Sequence, residues 1–184
     1  SNCAPAPGRA WTRKAYEASG GQNPAITVGD DHDLVCRTFI AGADFIHVRK
    51  PLYLYRFYHS SNVSRTDSAH WPGIQTQNEQ NYRAYSVQLC LEWSRRNSLP
   101  AIDLGGAHSC PKGFIPVDRV AVPGGIVSSV GDEPLPFAES SVGVIRAYDF
   151  LEHVPIGKTV AMMNDFYRVL APGGVLLSMT PSTD

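Results

Sequence analysis

The chain has 184 residues, a formal net charge of −1, 43% hydrophobic residues and 18% charged ones. That length suits one ordinary domain or two smaller ones, and the balance excludes intrinsically disordered and membrane-spanning classes. A near-neutral chain without a Lys/Arg block is not built for nucleic acid, and Cys3, Cys36, Cys90 and Cys110 form no CxxC pair, which fits reduced thiols in a cytoplasmic protein.

The opening SNCAPAPGRA carries no signal pattern and reads as a loose strand end or a loop. Together with the closing STD directly after an apolar run, it gives the expectation of a piece of something longer. The next stretch mixes helical and strand signals with many aromatics. Its sharpest feature is GDDHDL, in which Asp30, Asp31 and Asp33 precede Leu34, with Arg37 following. Asp30 or Asp31 can cap a helix that starts near Leu34, since carboxylates favour a helix amino end. Further on, Tyr55, Arg56 and His59 lead into Asn62, Val63 and Ser64.

This order resembles the carboxyl half of the catalytic domain of inverting GT-A glycosyltransferases of the family-2 type. The resemblance implies a helix after the acidic motif, then a strand opened by glycine, then the Tyr-Arg-x-His-like end. It puts Asp31 in the place of the base that deprotonates an acceptor hydroxyl while a sugar leaves its nucleotide. A nucleotide-sugar donor with a divalent metal is implied only if an upstream half exists, because that half is not in this sequence.

Residues 67–98 start polar and become helical. Tyr82, Tyr85, Leu89 and Trp93 recur at helical spacing, Arg95 and Arg96 suit the last turn, and Pro100 closes the segment. A connecting helix is expected here.

Residues 99–184 alternate apolar runs with turn signals. Ala101–Leu104 reads as a buried strand ending in Gly105 and Gly106, where the backbone can turn sharply. Only seven residues, Ala107 to Gly113, precede the next strand, so at most a helical turn fits between them. That loop would put His108 or Ser109 near any ligand. The next strand ends in Asp118, a residue that could accept ribose hydroxyls or sit solvated in a turn. EPLPFAESS leads into the strand VGVIRA, whose carboxyl end offers Ala147, Tyr148 and Asp149, and then into Glu152 and His153. His153 could act as a general base, or the pair could fix a helix start. The following helix is expected to carry Val160, Met163, Phe166, Tyr167 and Leu170 as one apolar stripe, to bury Met162 and Met163, and to be stopped by Pro172, Gly173 and Gly174 before the strand VLLSMT.

This segment resembles class I S-adenosylmethionine-dependent methyltransferases. The acid-x-glycine pattern is matched by Asp103 and Gly105, with Gly106 beside them. Ala107 and Ser109 stand where further glycines are usual. The resemblance implies that Asp118 holds the adenosyl ribose and that Asp103, Gly105, Gly106, Ala107, Ala147 and Tyr148 line the cofactor. The family's adenine-binding acid falls on Val130, with Asp132 two residues on, and Gly143 replaces an acid usual at the start of its strand.

The expected fold class is therefore α/β: a Rossmann-like parallel sheet, as a partial class I methyltransferase fold, plus a partial GT-A segment joined by a helix. The expected division is 1–66, 67–98 and 99–184. The expected function is S-adenosylmethionine-dependent methyl transfer to a small-molecule or glycan acceptor, in a bifunctional protein of polysaccharide assembly. Two alternatives stand beside it: a glycosyltransferase with a degenerate methyltransferase-like module, and a non-catalytic scaffold. No resident metal, nucleic acid or membrane span is expected, and the oligomeric state is open.

Overall fold

The computed structural model describes residues 9–27, 29–50, 70–107 and 109–181. The chain divides into two compact units, Ser1–Leu89 and Cys90–Asp184. The division falls inside the helix His70–Arg96.

In the first unit, α1 (Arg13–Ala18) begins at Thr12, whose hydroxyl accepts a hydrogen bond from the Ala15 amide at 3.2 Å. The second helix, α2 (Asp30–Ile40), starts four residues before Leu34. Its cap is Gly29, at a left-handed φ of 70°, and no side chain caps it. The expectation that Asp30 or Asp31 would be the cap is thus corrected. Glycine makes the turn, and the acids fall inside the first turn, where they still face the positive end of the dipole. After α2, residues 43–49 form no strand, and Phe45, Ile46 and Val48 are exposed. The strand expected after Gly42 is therefore not formed over residues 43–49. The Tyr55, Arg56, His59 and Asn62–Ser64 matches lie outside the described residues.

Helix α3 (His70–Arg96) begins earlier than its aromatic spacing suggested and takes Pro72 into its first turn, where a missing N–H costs nothing.

The second unit is a five-stranded, wholly parallel sheet of order β3-β2-β1-β4-β5. Its strands are β1 (Ala101–Leu104), β2 (Ile115–Asp118), β3 (Ile126–Val127), β4 (Val142–Tyr148) and β5 (Leu170–Met179). The two-residue β3 had no sequence signal. β1 and β4 are apolar almost throughout, as strands covered on both faces must be. Ile102, Leu104, Val117, Ile145 and Ala147 form the core with Met162, Phe166 and Val169 of α4 (Ile156–Val169). Elsewhere in the unit the last turns of α3 lie close to the sheet. A Cβ added at Gly143 would stand 3.0 Å from Leu99 Cβ and 3.1 Å from Ser94 Cβ, which explains why no acid stands there.

Turns alone connect β1 to β2, closed by Ser109 N to Gly106 O at 3.0 Å and Phe114 N to Pro111 O at 3.1 Å. Two expectations for α4 fail. Pro172–Gly174 does not stop it: the helix ends at Val169 and Leu170 is already extended. The PGG lies inside β5 as an irregularity, since Leu170 pairs with Val142 but Val175 pairs with Val144. Gly173 there has φ 82°, and a Cβ on it would meet the Trp93 ring at 3.1 Å. The expected apolar stripe is also split. Met162 and Phe166 are buried, while Val160, Met163 and Tyr167 are exposed.

Candidate functional site

The carboxyl ends of parallel strands, where the strand order reverses, are where open α/β sheets take ligands. Here that point lies between β1 and β4. Gly105 donates its N–H to Val117 O at 3.0 Å, extending the β1–β2 ladder by one step, and then turns away at φ 72°. Two residues later the Ala107 amide donates to Asp118 Oδ2 at 3.3 Å, and the Val120 amide donates to Asp118 Oδ1 at 3.1 Å. The Asp118 carboxylate therefore straddles the glycine loop and its own turn while staying partly exposed. Each of its oxygens keeps a lone pair for another donor. Beside it, Ser128 donates its N–H to Asp118 O at 2.9 Å, and its buried Oγ has no partner among the described residues.

The two glycines are required by the chain itself. A Cβ on Gly105 would stand 2.9 Å from the Phe150 ring, and one on Gly106 would fall on the Asp103 carboxylate. Phe150 thus forms a wall against the bend. It follows Asp149, whose φ of 48° is a conformation few non-glycine residues adopt.

Asp103 does not face solvent: it is 0% exposed. Arg146 on the neighbouring strand donates from Nη1 to Asp103 Oδ1 at 2.6 Å, and stacks its guanidinium 4.0 Å over the Tyr148 ring. Asp103 Oδ2 and Arg146 Nε are buried without hydrogen-bond partners among the described residues. Burial raises the Asp103 pKa; the Arg146 hydrogen bond and charge oppose the rise, with a smaller contribution from the Cys110 thiol, a weak donor. Burial likewise pushes the Cys110 thiol up, so it stays protonated.

The other residues singled out from sequence spread around this edge. Ala147 belongs to the core and shows no side-chain surface. Tyr148 is held by Arg146. Asp132 ion-pairs with Lys158 of α4, whose ammonium lowers its pKa. Glu152 and His153 lie exposed on a short 3-10 turn, Leu151–His153, ahead of Pro155. His108 is outside the described residues. Sequence reasoning missed Arg146, Phe150 and Ser128. Only Arg146 carried a signal, as a charge in the middle of an apolar strand that must find a buried partner.

In the first unit, Asp31 is half exposed, with its Oδ2 3.7 Å from Arg9 Nη1 and its Oδ1 accepting the His32 amide at 2.9 Å. Asp30 takes a hydrogen bond from Gln22 Nε2. Asp33 is the buried acid of the three, held by Arg37 and by the Tyr85 hydroxyl at 2.7 Å. A shallow hollow of about 370 Å³ is lined in part by Ser19, Arg37, Ala41, Tyr85 and Gln88, and none of the three acids lines it.

Among the described residues no three His, Cys, Asp or Glu side chains are placed to hold a metal ion, and no helix is long and apolar enough to cross a membrane. No protein-family model, curated protein or solved structure matches this chain.

Proposed function

We propose that the second unit binds an adenosyl ligand at the carboxyl edge of its sheet and serves S-adenosylmethionine-dependent methyl transfer. One observation carries this reading. The parallel pairing of β1 and β2 brings the glycine bend within one hydrogen bond of the Asp118 carboxylate, on the strand next to the point where the strand order reverses. Asp118 would accept the two ribose hydroxyls on its free lone pairs. Ser128 Oγ, buried and unpartnered, supplies a further polar group at the neighbouring strand end. When bound, the ligand supplies a sulfonium-activated methyl group. The chain's part is to orient it, with Phe150 and the Gly105 bend as the wall and His153 as an exposed group able to take a proton from an acceptor. Asp103 and Arg146 take no direct part in this scheme. They hold β1 and β4 in register beneath the site.

The contact of Phe150 with Gly105 favours a second reading, in which the sheet is a scaffold and the aromatic ring has closed the bend. Calorimetry with S-adenosylhomocysteine separates the two. Methyl transfer predicts saturable heat with the wild-type chain, reduced at least tenfold in affinity in Asp118→Ala. Silence in both the wild type and Phe150→Ala, with folding intact by circular dichroism, leaves the scaffold.

A further inference from the structure

His32 sits in the first turn of α2, and only 8% of it is exposed. Its neighbours Asp31 and Asp33 are the expected base and the buried partner of Arg37, and the imidazole belongs to neither role. The ring packs against α3. Tyr82 meets it edge-on, with ring centroids 4.6 Å apart and planes at 66°. Asn81 Nδ2 stands 3.5 Å from its Nδ1.

Asn81 is 3% exposed, and its amide has one allowed orientation. Its Oδ1 accepts from Gln77 Nε2 at 3.0 Å, and its Nδ2 donates to Gly29 O at 3.2 Å. Gly29 O can only accept, so Nδ2 cannot change places with Oδ1. The second N–H of Nδ2 is the one left to face His32 Nδ1. A ring nitrogen that meets a donor must carry a lone pair. The network therefore assigns His32 as neutral, with its proton on Nε2.

We infer that His32 makes the contact between the first turn of α2 and residues 77–85 of α3 a pH-sensitive joint, closed when the imidazole is neutral and loosened when it is protonated. The switch is a reversal of polarity at one atom. A proton on Nδ1 turns an acceptor into a donor and sets it against the N–H of Asn81. The imidazolium also lies at the amino end of α2, where the helix dipole opposes positive charge, and it is held out of water.

The charged groups around the ring do not cancel this. Burial leads in lowering the His32 pKa; the Asp31 charge opposes it, Arg9 adds to the lowering, and Asp33 opposes it. Asp31 is half exposed and lies 3.7 Å from Arg9. Asp33 is engaged by Arg37 and by the Tyr85 hydroxyl. From α3 the ring meets Asn81 and Tyr82, neither of them a carboxylate that could hold the proton.

The sign follows from linkage. A histidine whose folded pKa lies below its unfolded value stabilises the closed joint fully above about pH 6.5, the ordinary histidine value. That contribution disappears as pH falls from there toward the folded value. The first turn of α2 also carries Asp30 and Asp31. The placement of these two acids is therefore tied to the charge state of the buried imidazole between them and α3.

The experiment is hydrogen exchange of the whole chain at pH 7.5 and pH 5.5, read as protection factors so that the intrinsic pH dependence of exchange drops out. Amides of α2 and of residues 77–85 should lose protection severalfold at pH 5.5. The limit is about tenfold, set by one pH unit below the ordinary histidine value. Amides of β1 and β4 are the internal reference and should not follow. His32→Gln keeps an acceptor for Asn81 but cannot titrate, so its protection should be the same at both pH values. Asn81→Asp gives the imidazolium a carboxylate. The His32 ring, followed by NMR, should then titrate at higher pH than in the wild type, and the loss at pH 5.5 should vanish. Wild-type protection that ignores pH, a loss shared equally by β1 and β4, a loss that persists in His32→Gln, or an Asn81→Asp protein with an unmoved His32 titration would each overturn the inference.

Discussion

Asp33 and Asp103 are both 0% exposed, and each is held by an arginine, yet the two units treat them differently. In the first unit Arg37 donates from Nε and Nη2 to Asp33 Oδ2 at 2.9 and 2.6 Å, and Tyr85 donates to Oδ1 at 2.7 Å. Both carboxylate oxygens are satisfied. In the second unit Arg146 reaches only Oδ1 of Asp103, and Oδ2 is left facing Gly106. A buried charge is tolerable in proportion to its partners, so the two sites should differ in how they fail. Asp33 sits in a closed structural joint. Asp103 sits under the glycine bend with Oδ2 met by no strong donor among the described residues.

The largest effect should come from removing each arginine. Arg37→Met leaves Asp33 with the Tyr85 hydroxyl, whereas Arg146→Met leaves Asp103 with no strong donor. Breaking a buried pair costs about 3–5 kcal/mol, and Arg146→Met should lie at the upper end. Hydrogen exchange of α2 and β4 amides reads each unit separately, and equal losses would break the comparison. The pH dependence sharpens it. Burial already raises the Asp103 pKa, and losing Arg146 removes the main opposing influence. A carboxyl with a raised folded pKa favours folding below its unfolded value, and that contribution disappears as pH rises through the folded value. The Arg146→Met protein should therefore lose stability as pH rises above about 4, the ordinary aspartate value.

The same contrast shows what the sequence made legible. Asp33 and Arg37 are four apart, so their pairing follows from helical periodicity alone. Asp103 and Arg146 are 43 residues apart and meet only because β1 and β4 are neighbours in register. The strands themselves could be read from their apolar runs, and Asp118 from its place at a strand end. Phe150 could not, because its role is set by where the chain goes after a left-handed Asp149. The PGG motif misled for a related reason. Its residues signal a helix stop, but α4 ends earlier and Trp93 occupies the space that Gly173 leaves open.

A smaller effect isolates the second donor on Asp33. Tyr85→Phe removes one hydrogen bond to a charged acceptor and leaves the ring in place. Such bonds contribute about 1.5–3 kcal/mol, so the variant should lose about 2 kcal/mol in urea unfolding. It also brings Asp33 to the state of Asp103, with one oxygen unpartnered. A negligible loss would mean that the unclaimed oxygen of Asp103 is no burden either, and the distinction between the two sites would dissolve.

Glu92 extends the comparison to a carboxylate paired locally, as Asp33 is, but with partners that reach into water. Arg95 donates to both of its oxygens at 2.7 Å, and Arg96 donates to Oε1 at 2.8 Å. The Arg95 hydrogen bond leads in holding its pKa down to about 2, with burial opposing. The folded pKa lies below the unfolded one, so the stabilisation is complete above the ordinary glutamate value and disappears as pH falls toward about 2. Arg95 is 68% exposed, so solvent screens much of the attraction, and Glu92→Gln at pH 7 should cost less than about 1 kcal/mol. The informative measurement is the thermal midpoint followed from pH 5 down to pH 2. The wild type should fall more steeply than Glu92→Gln, and the two curves should converge at the acid end. Parallel curves would mean that the arginines do not hold the carboxylate in solution, and that local pairing protects an acid only when, as at Asp33, water is kept out.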